Sequence, residues 1–574
     1  MSEFLIRHLF RGHIFPDRFN ILEPGCGDGQ FLQSLFTEDA LKDYKNVHID
    51  FLDVNQDELQ KAQTICEQNK SSNIKFNSYN IDFLDFQKSA TQQYSLIIGN
   101  PPYIKKIHLS EDQIEQCQQI YTEAGLSSKS VHNIWTGFLL GSTAMLNEEG
   151  VLCFVLPSEF LQVKYTKEIR EYILTQFRSV EIFAFNQLIF EGVEQDVIVF
   201  IGAKNNMKRG ISFFQVENLN DLTGHEYTTK FNNVHRKTLD KWTNYILTDE
   251  ELIFLEDLRK TLKPIKAYCE KVEVGIVTAA NSYFIVNDKV VKNYQLDHIV
   301  KPLIGKGAHI KNQLRVTEKL IEDLHNSGKP VNFIHFRNEP PETNSLLAQE
   351  YIKKGEALGL HNRYKCKNRN NWYHVPCVWL SEGLFIKRTH LYPRMLLNDA
   401  GVYVTDSFYR VKMKGDFKIT DLVFSFYNTL TFILAELEGR YYGGGVLELT
   451  PNEYKHLAIP FFKDVPAYHL LQLEHLFKNK SDIKTILNYT NRIILGQVMR
   501  LSVSEIERLG DIYEKLVSRR LKKPNKSTSN KKYIDQHKSF ISRLYNKNNY
   551  ELNLENPFKR PSPIDIPFQT RPIV

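Results

Sequence analysis

Residues Tyr94–Lys106 read YSLIIGNPPYIKK. An apolar run, Leu96 to Gly99, leads into Asn100-Pro101-Pro102-Tyr103, and the two prolines fix φ and remove two backbone donors. The run reads as a buried parallel strand, and the prolines form a stiff bracket at its carboxyl end. That is the end of an open α/β sheet where ligand sites lie.

Outward from this bracket the chain alternates. NILEP, VHIDFLD, YSLIIGN, GVLCFVLP, SVEIFAF and QDVIVFIGA read as strands. GQFLQSLF, NQDELQKAQTICEQN, WTGFLLGSTAML and KYTKEIREYILTQF read as helices. The fold class expected is α/β, a doubly wound parallel sheet. The last two strands are joined by too few residues for a helical crossover, so the final strand is expected to run antiparallel.

The first strand ends in LEPGCGDGQFL, whose Gly25, Gly27 and Gly29 make a strand-to-helix turn that lets a ligand approach the backbone. The second ends in FLDVN, which places Asp53 where a carboxylate can accept both hydroxyls of a ribose. These two features alone suit many nucleotide binders; the N-P-P-Y bracket narrows them.

With NIDFLDF after the third strand and N-P-P-Y closing the fourth, the order of motifs resembles the gamma-class N6-adenine DNA methyltransferases of restriction-modification systems, the TaqI type. The resemblance implies a Rossmann-like methyltransferase domain using S-adenosyl-L-methionine. Glu23 with Gly25 and Gly27 then matches the cofactor motif, Asp53 the ribose acid, and Asp82 with Phe83 the pair around the cofactor adenine. Asn100, Pro101, Pro102 and Tyr103 match the catalytic motif. Tyr103 and Phe190 (in LIFEGVEQD) fall where the family packs aromatics on an extruded base. Phe138 reads as core more readily than as pocket. The chemistry agrees: an amide oxygen and a proline carbonyl can accept both N–H groups of an exocyclic amine, letting its nitrogen rehybridise toward a methyl sulfonium. A base inside a duplex reaches such a pocket only when flipped out.

The family places a Tyr/Phe-Thr-Pro element before its glycine motif. No Thr-Pro occurs in residues 1–20, and SEFLIRHLF resembles the helix that follows that element. The expectation is a late start of the chain or weaker hold on the cofactor. No nuclease motif is found, so any cognate restriction endonuclease is expected to be a separate partner.

At 574 residues, two or three domains are expected. The divisions read are 1–244, the methyltransferase domain; 245–465, a mixed α+β domain resembling a target-recognition domain; and 466–574, a helical region with a basic tail. In the middle part RYKCKNRNNWYHVP, IKRTHLYPRML and GRYYGGGVLEL are rich in Arg, Lys and Tyr. Arg363, Lys365, Arg369, Arg388 and Arg394 are its candidate readers of duplex DNA, mostly through phosphates.

Between Lys515 and Lys547 eleven Lys/Arg face one acid, Asp535, so this segment carries +10 of a chain whose formal total is +6. It reads as a phosphate-following arm, in which Arg519, Arg520, Lys522 and Lys523 take part, or as a solvated tail. Seven scattered cysteines, no apolar run long enough for a bilayer and no signal-peptide pattern lead to a cytoplasmic expectation. His361, Cys366, His374 and Cys377 lack zinc-knuckle spacing, and no metal is expected. Pro376-Cys377 lies too far from the cofactor motif to serve as a cytosine-type nucleophile. The alternatives left open are a glutamine-N5 protein methyltransferase, which shares N-P-P-Y, and a non-catalytic DNA-specificity module.

Overall fold

The structure is a computed structural model that describes residues 1–185, 197–206, 209–216, 228–232, 242, 246–336, 346–442 and 445–521. All of them fall within one compact unit, Met1–Asn525.

Its amino-terminal part alternates α1 (Ser2–Gly12), β1 (Arg18–Pro24), α2 (Gln30–Thr37), β2 (Asn46–Leu52), α3 (Gln56–Gln68), β3 (Ile74–Tyr79), α4 (Phe83–Ser89) and β4 (Tyr94–Gly99). It continues through α5 (Glu111–Glu123), α6 (Ile134–Met145), β5 (Leu146–Pro157), α7 (Lys167–Gln176), β6 (Ser179–Phe185) and β7 (Val197–Ala203). Two further strands, β8 (Gly210–Val216) and β9 (Thr228–Asn232), complete a sheet in the order β3-β2-β1-β4-β5-β7-β6-β8-β9. β1 to β5 are mutually parallel. β7 runs antiparallel to both β5 and β6, as the short connection requires. β8 and β9 were not expected; they extend the sheet past β6.

The order reverses beside β1, which pairs with β2 on one edge and β4 on the other. A doubly wound sheet opens its crevice at such a reversal, outside the carboxyl ends of the strands. Register levels those ends: Pro24 pairs with Leu52, and Leu22 with Ile97. β4 is buried along its whole length, with helices covering both faces, which explains its unbroken apolar run. Local signals set the helix starts. Asn55 caps α3, Asp82 caps α4, and Ser110 with Gln113 forms a capping box on α5.

Among the described residues, the carboxyl-terminal part has a four-stranded antiparallel sheet, ordered Cys269–Val274, Phe408–Met413, Gly383–Ile386, Met395–Leu397, a second four-stranded sheet, and sheets of three and two strands. The helices Thr429–Glu438 and Val503–Leu521 pack against one another. Across the 244/245 division the Gln162 amide pairs with the backbone of Tyr441, donating to its carbonyl at 3.0 Å and accepting its N–H at 3.4 Å. No helix among the described residues is long and apolar enough to cross a membrane.

Candidate functional site

The glycine turn after β1 is fastened to the end of β2. Gly25 and Cys26 each donate to the Leu52 carbonyl at 2.9 Å. Asp53 Oδ2 accepts the Gly27 N–H at 2.9 Å, and Oδ1 accepts the Asn55 N–H at 2.8 Å. Asp53 thus shapes the turn and still holds free lone pairs toward solvent. All three glycines have positive φ, which L side chains rarely adopt. At Gly29 a Cβ would stand 2.9 Å from the Ala62 backbone, so this glycine also lets α3 approach; at Gly27 it would meet nothing, leaving the turn open.

Glu23, the penultimate residue of β1, is 1% exposed, and its Oε2 has no hydrogen-bond partner. Burial, followed by the charges of Asp28 and Asp53, raises its pKa well above the usual carboxylate range. An unpartnered buried carboxyl oxygen costs free energy unless a donor or cation reaches it. Such an atom at an open glycine turn fits the α-ammonium or sulfonium side of S-adenosylmethionine.

Asp82 and Phe83 stand across the turn at the start of α4. Asp82 accepts from the Leu84 N–H at 2.9 Å as the helix cap and from the Gln113 amide at 2.8 Å. Its carboxylate therefore ties α4 to α5. Phe83 is buried against Phe138 of α6, ring centroids 4.5 Å apart. Phe138 Cε1 lies 3.9 Å from where a Cβ of Gly25 would be. Phe138, which the sequence assigns to the core, is buried as expected and also walls the glycine turn. Its helix is buried on nearly every side, so no periodicity singled it out.

β4 delivers the N-P-P-Y bracket next to this turn: a Cβ on Gly99 would stand 3.5 Å from the Pro24 carbonyl oxygen. Asn100 is exposed and Pro101 buried. The Tyr103 hydroxyl lies 2.9 Å from Asn100 Oδ1 and 3.0 Å from the Val155 carbonyl of β5. Burial raises the Tyr103 pKa, so the hydroxyl keeps its proton. Phe190 lies outside the described residues.

The basic candidates differ in how far their side chains are committed to partners. Lys365 is exposed. Arg388 is largely exposed while its Nε donates to Glu448 at 2.7 Å. Arg363 is exposed but donates to the Ala279 carbonyl at 2.8 Å, and Arg369 donates to the carbonyls of Val277, Thr278 and Trp372. Together they clamp the loop 277–279. Arg394 donates to the carbonyls of Ile310 and Gln313.

Arg519 and Arg520 correct the phosphate-arm expectation. Arg519 is buried over the Tyr441 ring at 4.8 Å. Arg520 is 2% exposed and spends its guanidinium on Glu436, at 2.7 to 3.1 Å, and on the carbonyls of His390, Leu391 and Gly445. Both belong to the helix Val503–Leu521 and hold it in place. Lys522, Lys523 and the rest of the basic tail lie outside the described residues. Among the described residues no three His, Cys, Asp or Glu side chains gather to hold a metal; Cys366 is buried and Cys377 exposed.

Two family models match the chain: "Eco57I restriction-modification methylase" over residues 29–190 and "Type II methyltransferase M.Eco57I, C-terminal domain" over residues 239–495. Among curated proteins, the Type II methyltransferase M.AccI of Acinetobacter calcoaceticus is 25% identical over 460 residues, which are 75% of this chain and 79% of that one. M.BanIII of Aneurinibacillus aneurinilyticus is 21% identical over 452 residues, 69% of this chain and 75% of that one. Among solved structures the Type IIL restriction-modification enzyme MmeI, in complex with DNA, shares the fold with a TM-score of 0.52 at 14% identity, over 92% of this chain and 73% of that one. By these matches, and with the cofactor crevice and N-P-P-Y bracket side by side, the chain belongs to the Eco57I family of restriction-modification DNA methyltransferases, whose methyl donor is S-adenosylmethionine.

Proposed function

We propose that the chain methylates the N6 amine of an adenine flipped out of duplex DNA at a specific sequence, and so protects that DNA from a separate cognate endonuclease. The observation that carries this reading is the position of Asn100: exposed, at the end of β4 beside the glycine turn, with its amide oxygen aligned by the Tyr103 hydroxyl.

In this reading Asn100 Oδ1 and the Pro101 carbonyl accept the two N–H groups of the amine. That withdraws the nitrogen lone pair from the ring, and the fixed φ of the prolines keeps both acceptors in place before the substrate arrives. Tyr103 offers its ring to the base, a stack worth roughly 1–3 kcal/mol. Bound S-adenosylmethionine supplies a methyl group already activated on sulfonium. Glu23, Gly25, Gly27 and Asp53 hold its amino-acid and ribose parts, and Phe83 with Phe138 flanks its adenine. Asp82 acts by capping α4 and so setting Phe83.

The test is transfer of tritiated methyl from S-adenosylmethionine to unmodified DNA by the full chain, followed by nucleoside analysis. Label in N6-methyladenine is expected. Label in C5- or N4-methylcytosine would overturn the adenine assignment, and label in protein alone would favour glutamine-N5 transfer. Sequencing DNA from a host that expresses the gene, with methylated adenines mapped, gives the recognised site.

A further inference from the structure

Downstream of Tyr103 the chain runs through a short turn, Ile104–His108, whose tip is Ile107. This side chain is 82% exposed. A lone exposed apolar residue is ordinary on a protein surface, but three observations set this one apart. The turn is pinned: Lys106 N–H donates to the His132 carbonyl and Ile134 N–H to the Ile104 carbonyl, both at 2.9 Å, and Lys105 bridges Asn133. Inside it His108 N–H donates to the Lys105 carbonyl, and beyond it Leu109 packs on the core and Ser110 caps α5. The ring of His132 is in turn stacked on Tyr165 at 4.6 Å, 3° from parallel. The flanks are basic, with Lys105, Lys106 and His108 and no acid from Tyr103 to Leu109. The place is fixed as well, four residues from the tyrosine that holds Asn100.

We propose that Ile107 is a wedge that enters the base stack beside the target adenine, with Lys105 and Lys106 on the flanking phosphates. The proposal rests on the methyltransferase reading above and names the element that opens the duplex for it. Four residues of chain reach at most about 14 Å, so the turn stays close to Tyr103 and to the strand whose base Asn100 receives. Aliphatic side chains inserted between base steps unstack them, and lysines position the strand without reading sequence. A turn pinned at both ends keeps the wedge from being pushed aside.

The experiment uses the full chain and two duplexes containing its mapped site, one fully paired and one with an abasic position opposite the target adenine, which needs no wedge to open. Ile107→Ala should slow methylation of the paired duplex on the order of tenfold or more while methylating the abasic duplex at a rate within about threefold of the parent protein. Equal slowing on both duplexes would overturn the wedge in favour of a role in holding the turn, and parental rates on both would overturn it outright. A parent protein that methylates neither duplex would remove the underlying reading, and the wedge with it.

Discussion

The Tyr103 hydroxyl stands between two acceptors, Asn100 Oδ1 at 2.9 Å and the Val155 carbonyl at 3.0 Å, and it has one hydrogen to give. Donated to Asn100, that hydrogen selects the amide orientation that presents oxygen to an incoming amine. Once the amine occupies Oδ1, the hydroxyl can turn to Val155 without losing a partner. Tyr103→Phe keeps the ring for stacking and removes only this alignment. The expected result is a fall in kcat of about tenfold, the size of one neutral hydrogen bond, with DNA affinity unchanged. A kcat equal to the parent's would show that Asn100 needs no such guide.

Asn100→Ala removes the acceptor itself. Methyl transfer should drop by about 10²–10³-fold, comparable to losing one preorganised donor of an oxyanion hole, while DNA binding in gel-shift titrations stays intact. Turnover within about threefold of the parent protein would take Asn100 out of the chemistry.

Asp53→Ala strips the Gly27 and Asn55 N–H groups of their acceptor as well as removing a carboxylate from the crevice. Calorimetric titration with S-adenosylhomocysteine should show affinity weakened by at least about tenfold, since a charged acceptor contributes roughly 1.5–3 kcal/mol. Unchanged affinity would place the ribose elsewhere.

Glu23 is expected to make cofactor binding depend on pH. Its folded pKa is raised, chiefly by burial, so in the empty protein it holds its proton above the ordinary carboxylate range. A cation placed against Oε2 favours the carboxylate, so binding releases that proton. Affinity for S-adenosylhomocysteine should therefore rise with pH from the ordinary carboxylate range up to the raised pKa, by about one log unit per pH unit at most, and level off above it. Glu23→Gln should flatten the slope. A slope that persists in this variant would assign the proton to another group.

Arg520 and Glu436 form a buried ion pair, so removing one partner strands the other. Glu436→Ala should destabilise the protein by about 3–5 kcal/mol in urea unfolding. Arg520→Met with Glu436→Leu should recover most of that loss, and the salt dependence of DNA binding should match the parent's. A flatter salt dependence in the double variant would return Arg520 to the phosphates.

What could be read from the sequence was local. Proline geometry, the glycine spacing and the alternation of apolar runs each depend on residues within a few positions of one another. They suffice for the parallel sheet, its antiparallel β7, the crevice beside β1 and the placing of Asn100 at its edge. The tertiary structure decided what each donor and each ring does there. Arg520 looks like one more charge in a basic run until it meets Glu436, 84 positions away, and Phe138 is one apolar residue among many until α6 lays it over Gly25 and Phe83. Ile107 sits in a sequence that does not distinguish an inward from an outward isoleucine; the backbone bonds to 132–134 and the packing of Leu109 hold it in solvent. A guanidinium, a ring or a hydroxyl takes its role from partners brought close by long-range packing, and composition in the neighbourhood carries no record of those partners.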